Sequence, residues 1–140
     1  MPEESCIFCK IIKNEIPSFV LFENDDFKVI LDRFPAALGH AVILAKGHYE
    51  NIFELPESKA ATLFPLVKKI ATVLHSVFDC DGINILQNNG AEAGQTVMHF
   101  HIHVIPRFEE DNISIAWSQL ALSEDEFENI RAKITESLHE

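Results

Sequence analysis

Residues 97–105 read VMHFHIHVI and place three imidazoles at alternate positions. Side chains alternate across an extended strand. Val97, His99, His101, His103 and Ile105 therefore share one face, and Met98, Phe100, Ile102 and Val104 share the other, which must meet the core. A plain solvent-facing strand side carries Thr, Lys, Glu or Ser, and three alternate histidines fit that reading poorly. Two chemistries compete with it. The first is metal binding. Same-face neighbours lie about 6.6 Å apart and the outer pair about 13 Å, whereas Zn–N bonds are only ~2.0–2.1 Å. Two adjacent histidines can converge on one ion; three on a straight strand cannot. The second is nucleophilic attack on phosphorus by a neutral imidazole, with one ring nitrogen free and the other tied to a fixed acceptor. His101 has a histidine on either side and is the natural nucleophile. Just upstream, Asn88-Asn89-Gly90 and Ala93-Gly94-Gln95-Thr96 suit a phosphate. Gly94 lets backbone amides approach closely, and Gln95 and Thr96 supply neutral donors. The same residues also suit an ordinary hairpin turn.

Cysteine use points a second way. Cys6 and Cys9 form a C-x-x-C pair, and Cys80 stands alone. Three cysteines do not make a disulfide scaffold. Close paired thiols read as half a metal site, as a redox pair or as plain structural cysteines. A redox motif should follow a strand, and no strand precedes this pair.

The elements that must position these groups follow from periodicity. Cys6–Lys13 has the apolar spacing of a short helix, stopped by Asn14 and Pro17. Val20–Glu23 and Phe27–Asp32 read as strands joined by the Asn24-Asp25-Asp26 turn, and Ala41–Ala45 as a buried strand. Glu57–Asp79 is the longest helix. Its stripe is Ala60, Leu63, Phe64, Val67, Ile70, Ala71, Leu74, Val77 and Phe78, and Pro65 predicts a kink or split. Gly82 to Gln87 and Val97–Ile105 are further strands. Ser123 to Glu126 forms a capping box opening a last helix, with Phe127, Ile130, Ile134 and Leu138 on one side. The expected fold is α+β: a mostly antiparallel sheet of about five strands, a short N-terminal helix, a long helix and a C-terminal helix.

The chain has 140 residues, 47% hydrophobic and with a net charge of −11. That suits one domain spanning 1–140, with the segment from about 112 as a helical extension. The acidic balance argues against a nucleic-acid polymer or an anionic membrane as partner, though not against a small anion in a local pocket. No uninterrupted apolar run nears the ~18–20 residues of a membrane span, and the acidic N-terminus lacks a signal-peptide layout. The expected location is the cytoplasm.

His99-Phe100-His101-Ile102-His103-Val104-Ile105 matches the His-φ-His-φ-His-φ-φ motif (φ apolar) of the histidine triad (HIT) superfamily, which the chain resembles along most of its length. CIFCKIIKNEIPS resembles the start of bacterial Hint-type members. Asp32, Gly39-His40, Lys46 and His48 resemble a second block, and GINILQNNGAEAGQTVMHFHIHVIPR resembles the family core. From Asn112 onward the resemblance thins.

The resemblance implies that His101 attacks the α-phosphorus of a nucleotide and forms a nucleotidyl-histidine that water hydrolyses. His103 and His40 would complete the imidazole cluster. Gln95 and Thr96 would hold the phosphate or leaving group, with Asn88 helping to place them. Asp32 would bind the ribose hydroxyls, and Ile7, Phe8, Ile11 and Ile30 would sandwich a purine, although ordinary core explains these four equally well. It also implies a structural zinc held by Cys6, Cys9, His48 and His99, a closed set that frees His101 for chemistry. The expected activity is a nucleoside, and specifically adenosine, phosphoramidase working as a homodimer. Fhit-like features (EAGQTV and HVIPR) keep dinucleoside polyphosphate hydrolysis as an alternative. A nucleotide-binding or protein-interaction module with incidental turnover is a second, and a metalloenzyme with His99 and His101 as ligands a third. His75 and His139 are expected on the solvated surface, and Cys80 as buried filler.

Overall fold

A computed structural model describes residues 2–139. Five strands form one antiparallel sheet: β1 (Val20–Glu23), β2 (Phe27–Leu31), β3 (Ala41–Ala45), β4 (Gly82–Leu86) and β5 (His101–Arg107), in the order β1-β2-β3-β5-β4. Helices α1 (Ile7–Ile12), α2 (Glu57–Phe78) and α3 (Glu124–Leu138) complete the α+β fold. Two short 3-10 turns precede α1 and β5. The β1–β2 turn is closed by Asn24, whose side-chain oxygen accepts from the Asp26 and Phe27 amides. This is the local bonding that makes Asn a turn residue.

Strand alternation divides the sheet into two faces. Phe27 and Val29 of β2, Ala41, Ile43 and Ala45 of β3, and Ile102 and Val104 of β5 pack with Phe100 against Leu63, Leu66, Val67, Ile70 and Leu74 of α2. The opposite face carries Ile30, Val42 and Leu44 beneath Ile11 of α1. His101 pairs with Leu44, and His103 with Val42 and Leu86. The histidine side of β5 therefore looks toward α1, away from the long helix.

Four details differ from the sequence reading. β5 begins at His101 rather than Val97. β3 ends at Ala45, so residues 97–99 have no strand beside them. His99 instead bonds its amide to the Val97 carbonyl at 2.9 Å, while the Phe100 amide reaches the Tyr49 carbonyl and its carbonyl takes the Ala45 amide. Met98 is only half-buried. α2 runs unsplit through Pro65, which lies on its exposed side where water can take up the released carbonyl. Its buried stripe includes Leu66, whereas Ala60, Phe64 and Val77 face outward.

By length and composition α2 could cross a membrane, although Lys68 and Lys69 interrupt its apolar run. Its inner face is the main core of the sheet. α3 has the expected capping box. However, none of its residues is buried, and Phe127, Ile130, Ile134 and Leu138 are all exposed.

Candidate active site

Cys6 is the N-cap of α1, and its sulfur accepts the Cys9 amide at 3.4 Å. One helical turn thus turns both sulfurs toward the sheet. His99 Nδ1 lies 3.4 Å from each sulfur, and His48 Nδ1 lies 3.3 Å from Cys9 Sγ. All four ligand atoms fall within 4.8 Å of one another. The tautomer of His99 follows from its other nitrogen. Nε2 donates to the Ala45 carbonyl at 2.7 Å, so Nδ1 presents a lone pair to the sulfurs. Tetrahedral zinc with these bond lengths requires an S···N separation of about 3.6 Å, and the observed spacings are close to it. The site is sealed. His99 is fully buried, and burial pushes its pKa down to about 4. Burial, reinforced by neighbouring Cys6, pushes the Cys9 thiol up to about 12. Such a thiol ionises readily only beside a cation. The donor set, its burial and its tautomer fit a closed Cys2His2 ion, with no position left for substrate.

The middle histidine does different work. His101 Nδ1–H donates to the His99 carbonyl at 2.6 Å, which leaves the Nε2 lone pair free. The ring packs edge-on against Phe8, with centroids 4.9 Å apart. Burial lowers the His101 pKa, so the ring is neutral at pH 7. His103 belongs to a relay of fixed hydrogens. The Ala36 amide donates to His40 Nδ1 at 3.0 Å, so His40 carries its hydrogen on Nε2 and donates to His103 Nδ1 at 2.9 Å. His103 must then carry its own hydrogen on Nε2. Asp32 stands beside both rings, its Oδ2 3.5 Å from His40 Nε2 and 4.0 Å from His103 Nδ1. Burial lowers the pKa of His40 and of His103, more than the Asp32 charge raises either. The relay is a chain of neutral rings.

A cleft of about 700 Å³ opens between α1 and the sheet, within the usual ~300–1,000 Å³ of small-molecule sites. His101, His103 and Thr96 line one part of it, together with Asp32 and all four apolar residues read as purine contacts, Ile7, Phe8, Ile11 and Ile30. Three expected residues do not line it. His40 is buried behind His103 and reaches the cleft through that ring and through Asp32, 3.5 Å from its Nε2. Gln95 is also buried. Its amide donates to the Glu50 and Val97 carbonyls at 2.7 and 3.0 Å, and its oxygen accepts the Gly90 amide at 2.7 Å. With every polar atom engaged, Gln95 shapes the loop instead of touching a phosphate. Asn88 Nδ2 reaches the Gly94 carbonyl at 3.4 Å and braces the same loop, where Gly94 has φ +97°.

Several residues of the site were not singled out from the sequence. Phe19, Arg33, Val42 and Val97 also line the cleft. Lys28 is fully buried, with Nζ bonded to the Ile11 carbonyl at 2.9 Å and Asn14 Oδ1 at 2.8 Å. It thereby ties the C-terminal turn of α1, the cleft wall, to β2. The available signal was strand parity, since Lys28 shares the α1 face with Ile30.

This arrangement has close counterparts. The HIT domain family matches residues 13–110, which include His40, His48 and all three histidines of the β5 region. The chain belongs to the HIT domain family. The HIT chain is 37% identical over 138 residues to the protein hit of Bacillus subtilis, covering 96% of this chain and 95% of that one. It is 38% identical over 139 residues to an adenosine 5'-monophosphoramidase of Candida albicans, covering 96% and 91%. A crystal structure of a Bacillus subtilis HIT family member superposes with a TM-score of 0.89 at 36% identity, covering 94% of this chain and 96% of that one. A zinc-bound histidine triad family protein from Mycobacterium smegmatis superposes at 0.74 with 30% identity, covering 96% of each. Cys6 and Cys9 lie outside the matched family span, so the metal-ligand cluster is assembled partly from residues beyond the HIT core.

Proposed function

We propose that the chain is a nucleoside phosphoramidase that cleaves the P–N bond at a nucleotide α-phosphate through a nucleotidyl-histidine on His101. The observation that carries this reading is the 2.6 Å bond from His101 Nδ1–H to the His99 carbonyl, which leaves a neutral, cleft-lining Nε2 free to attack. The similarity to the Candida albicans monophosphoramidase supports the substrate class.

In the first step Nε2 forms a bond to phosphorus and the P–N bond breaks. The amine leaves after taking one proton from water in the open cleft. In the second step water adds to phosphorus, the P–Nε2 bond breaks, the nucleoside monophosphate departs and the proton returns to solvent. His101 keeps its Nδ1 hydrogen on the His99 carbonyl throughout, which stabilises the charge on the ring while it is phosphorylated. His103 Nε2–H and the Thr96 hydroxyl face the same space and donate to the phosphate oxygens, where negative charge accumulates. Asp32 accepts from the ribose hydroxyls, and Ile7, Phe8, Ile11 and Ile30 enclose the purine.

Cys6, Cys9, His48 and His99 would hold a zinc ion that ties α1 to the sheet and supplies folding stability. The chain would act as a homodimer. The free edge of β4, where Ile85 is exposed, and the unburied apolar side of α3 support this. Cys6 and Cys9 form no disulfide, and cysteines used as metal ligands suit a reducing compartment, which supports the cytoplasm.

The test is turnover of adenosine 5'-phosphoramidate by His101→Ala. The expected result is a loss of at least about a thousandfold in kcat with nucleotide binding retained. Unchanged turnover would reject the mechanism.

A further inference from the structure

The cleft contains one Lys or Arg side chain among the described residues, and that is Arg33. It directly follows Asp32, which also lines the cleft, and its guanidinium carbon stands 5.8 Å from the centroid of the Phe19 ring. Phe19 is itself a lining residue, and its carbonyl bonds the Leu31 amide at 2.9 Å. That bond holds the Phe19 backbone beside the end of β2. Arg33 therefore rests on an aromatic face at the rim of a largely apolar compartment, in which Ser18 precedes Phe19. Among the described residues it forms no hydrogen bond and no ion pair, so its fork of five N–H donors is free.

We infer that Arg33 selects the base of the nucleotide, favouring a 6-oxopurine, guanine or hypoxanthine, over adenine. This rests on the phosphoramidase reading above, in which phosphorus lies at His101 and the ribose on Asp32. The base then enters the apolar compartment between α1 and Ile30, which leaves Arg33 and Phe19 at its rim. Guanine and hypoxanthine present two acceptors on one edge, O6 and N7, which match two parallel N–H donors. Adenine presents N7 beside an N6 amino donor, so one N–H of the fork faces another donor there. The apolar residues of the compartment hold any purine. Ser18 also lines the wall, but its hydroxyl can donate or accept and so suits either edge; Arg33, with donors alone, is the group able to tell them apart.

The experiment measures kcat/KM for guanosine, inosine and adenosine 5'-phosphoramidates, and in parallel the Kd of GMP, IMP and AMP by calorimetry, for the wild type and Arg33→Met. Methionine keeps an unbranched apolar stem against Phe19 and removes the fork. The expected wild-type result is a preference for guanosine and inosine over adenosine of about tenfold, in both turnover and binding. In R33M both ratios should fall to within about twofold of one. If R33M weakens all three nucleotides equally and preserves the ratio, Arg33 only supports Phe19 and the inference is overturned. It is also overturned if guanosine is favoured while inosine behaves like adenosine, because the 2-amino group would then be what is read. Absence of turnover with all three substrates would reject the phosphoramidase reading, whereas the Kd ratios would still decide the role of Arg33.

Discussion

Replacing His40 separates a ring that reacts from a ring that holds another in place. His40 lies behind His103, accepting from the Ala36 amide at 3.0 Å and donating to His103 Nδ1 at 2.9 Å. The consequence is a single His103 tautomer, with its hydrogen on Nε2. In His40→Ala that constraint disappears and the two tautomers of His103 become comparable. One ordinary hydrogen bond contributes about 1 kcal/mol, and a tenfold effect corresponds to about 1.4 kcal/mol. Losing the constraint, together with some loosening at Ala36, should lower kcat about five- to tenfold with little change in KM. His40→Gln provides the contrast. Its amide oxygen can accept from Ala36 and its amide NH2 can donate to His103, so kcat should recover to within about threefold of wild type. The assay is steady-state hydrolysis of adenosine 5'-phosphoramidate at pH 7.5, with thermal denaturation confirming that both variants are folded. A thousandfold loss in H40A would mean that His40 itself takes part in the chemistry. An H40Q variant no better than H40A would refute the hydrogen-bond order assigned here.

Two further outcomes follow from burial. Because burial lowers the His101 pKa, the nucleophile stays neutral below the ordinary histidine value of ~6.5; the acid limb of the kcat/KM profile of free enzyme should therefore lie below pH 6.5, and a midpoint at or above it contradicts the assignment. Chelation should remove about one zinc per chain, measured by elemental analysis, and lower Tm in a manner that becomes worse in acid. His99 titrates near 4 in the metal-free fold against ~6.5 unfolded, so the unfolded chain binds more protons between those values. Stability is then complete above about pH 6.5 and lost as the pH falls toward 4, by up to about 3 kcal/mol from this ring alone. A chelated protein with unchanged Tm and unchanged acid sensitivity would count against a structural ion.

The sheet was legible because strand parity is a strong local signal. Phe100, Ile102 and Val104 fall on the α2 face, with His101 and His103 opposite, and β3 is buried along its whole length. What the local pattern could not give was the point at which a neighbouring strand ends. β3 stops at Ala45, so β5 starts four residues later than its own alternation suggests, and His99 leaves the ladder for the cysteines. The role of Gln95 was illegible for a related reason. Its three partners, Glu50, Gly90 and Val97, come together only after the chain folds, so an amide beside the histidines read as a ligand donor. Arg33 and Phe19 carry no motif, and only the shape of the cleft brings them to the site. On α3 the capping box and stripe were readable, but a stripe alone does not say whether it is buried, and here Phe127, Ile130, Ile134 and Leu138 are exposed.

The most direct test of the central claim is rapid quenching of the enzyme mixed with adenosine 5'-phosphoramidate, followed by peptide mapping in mass spectrometry. The predicted result is an adenylyl group on His101, formed and lost at rates consistent with turnover, and absent from His101→Ala. An adenylyl group on His103 or His40, or full turnover by a route that never modifies the peptide containing residues 99–103, would contradict it.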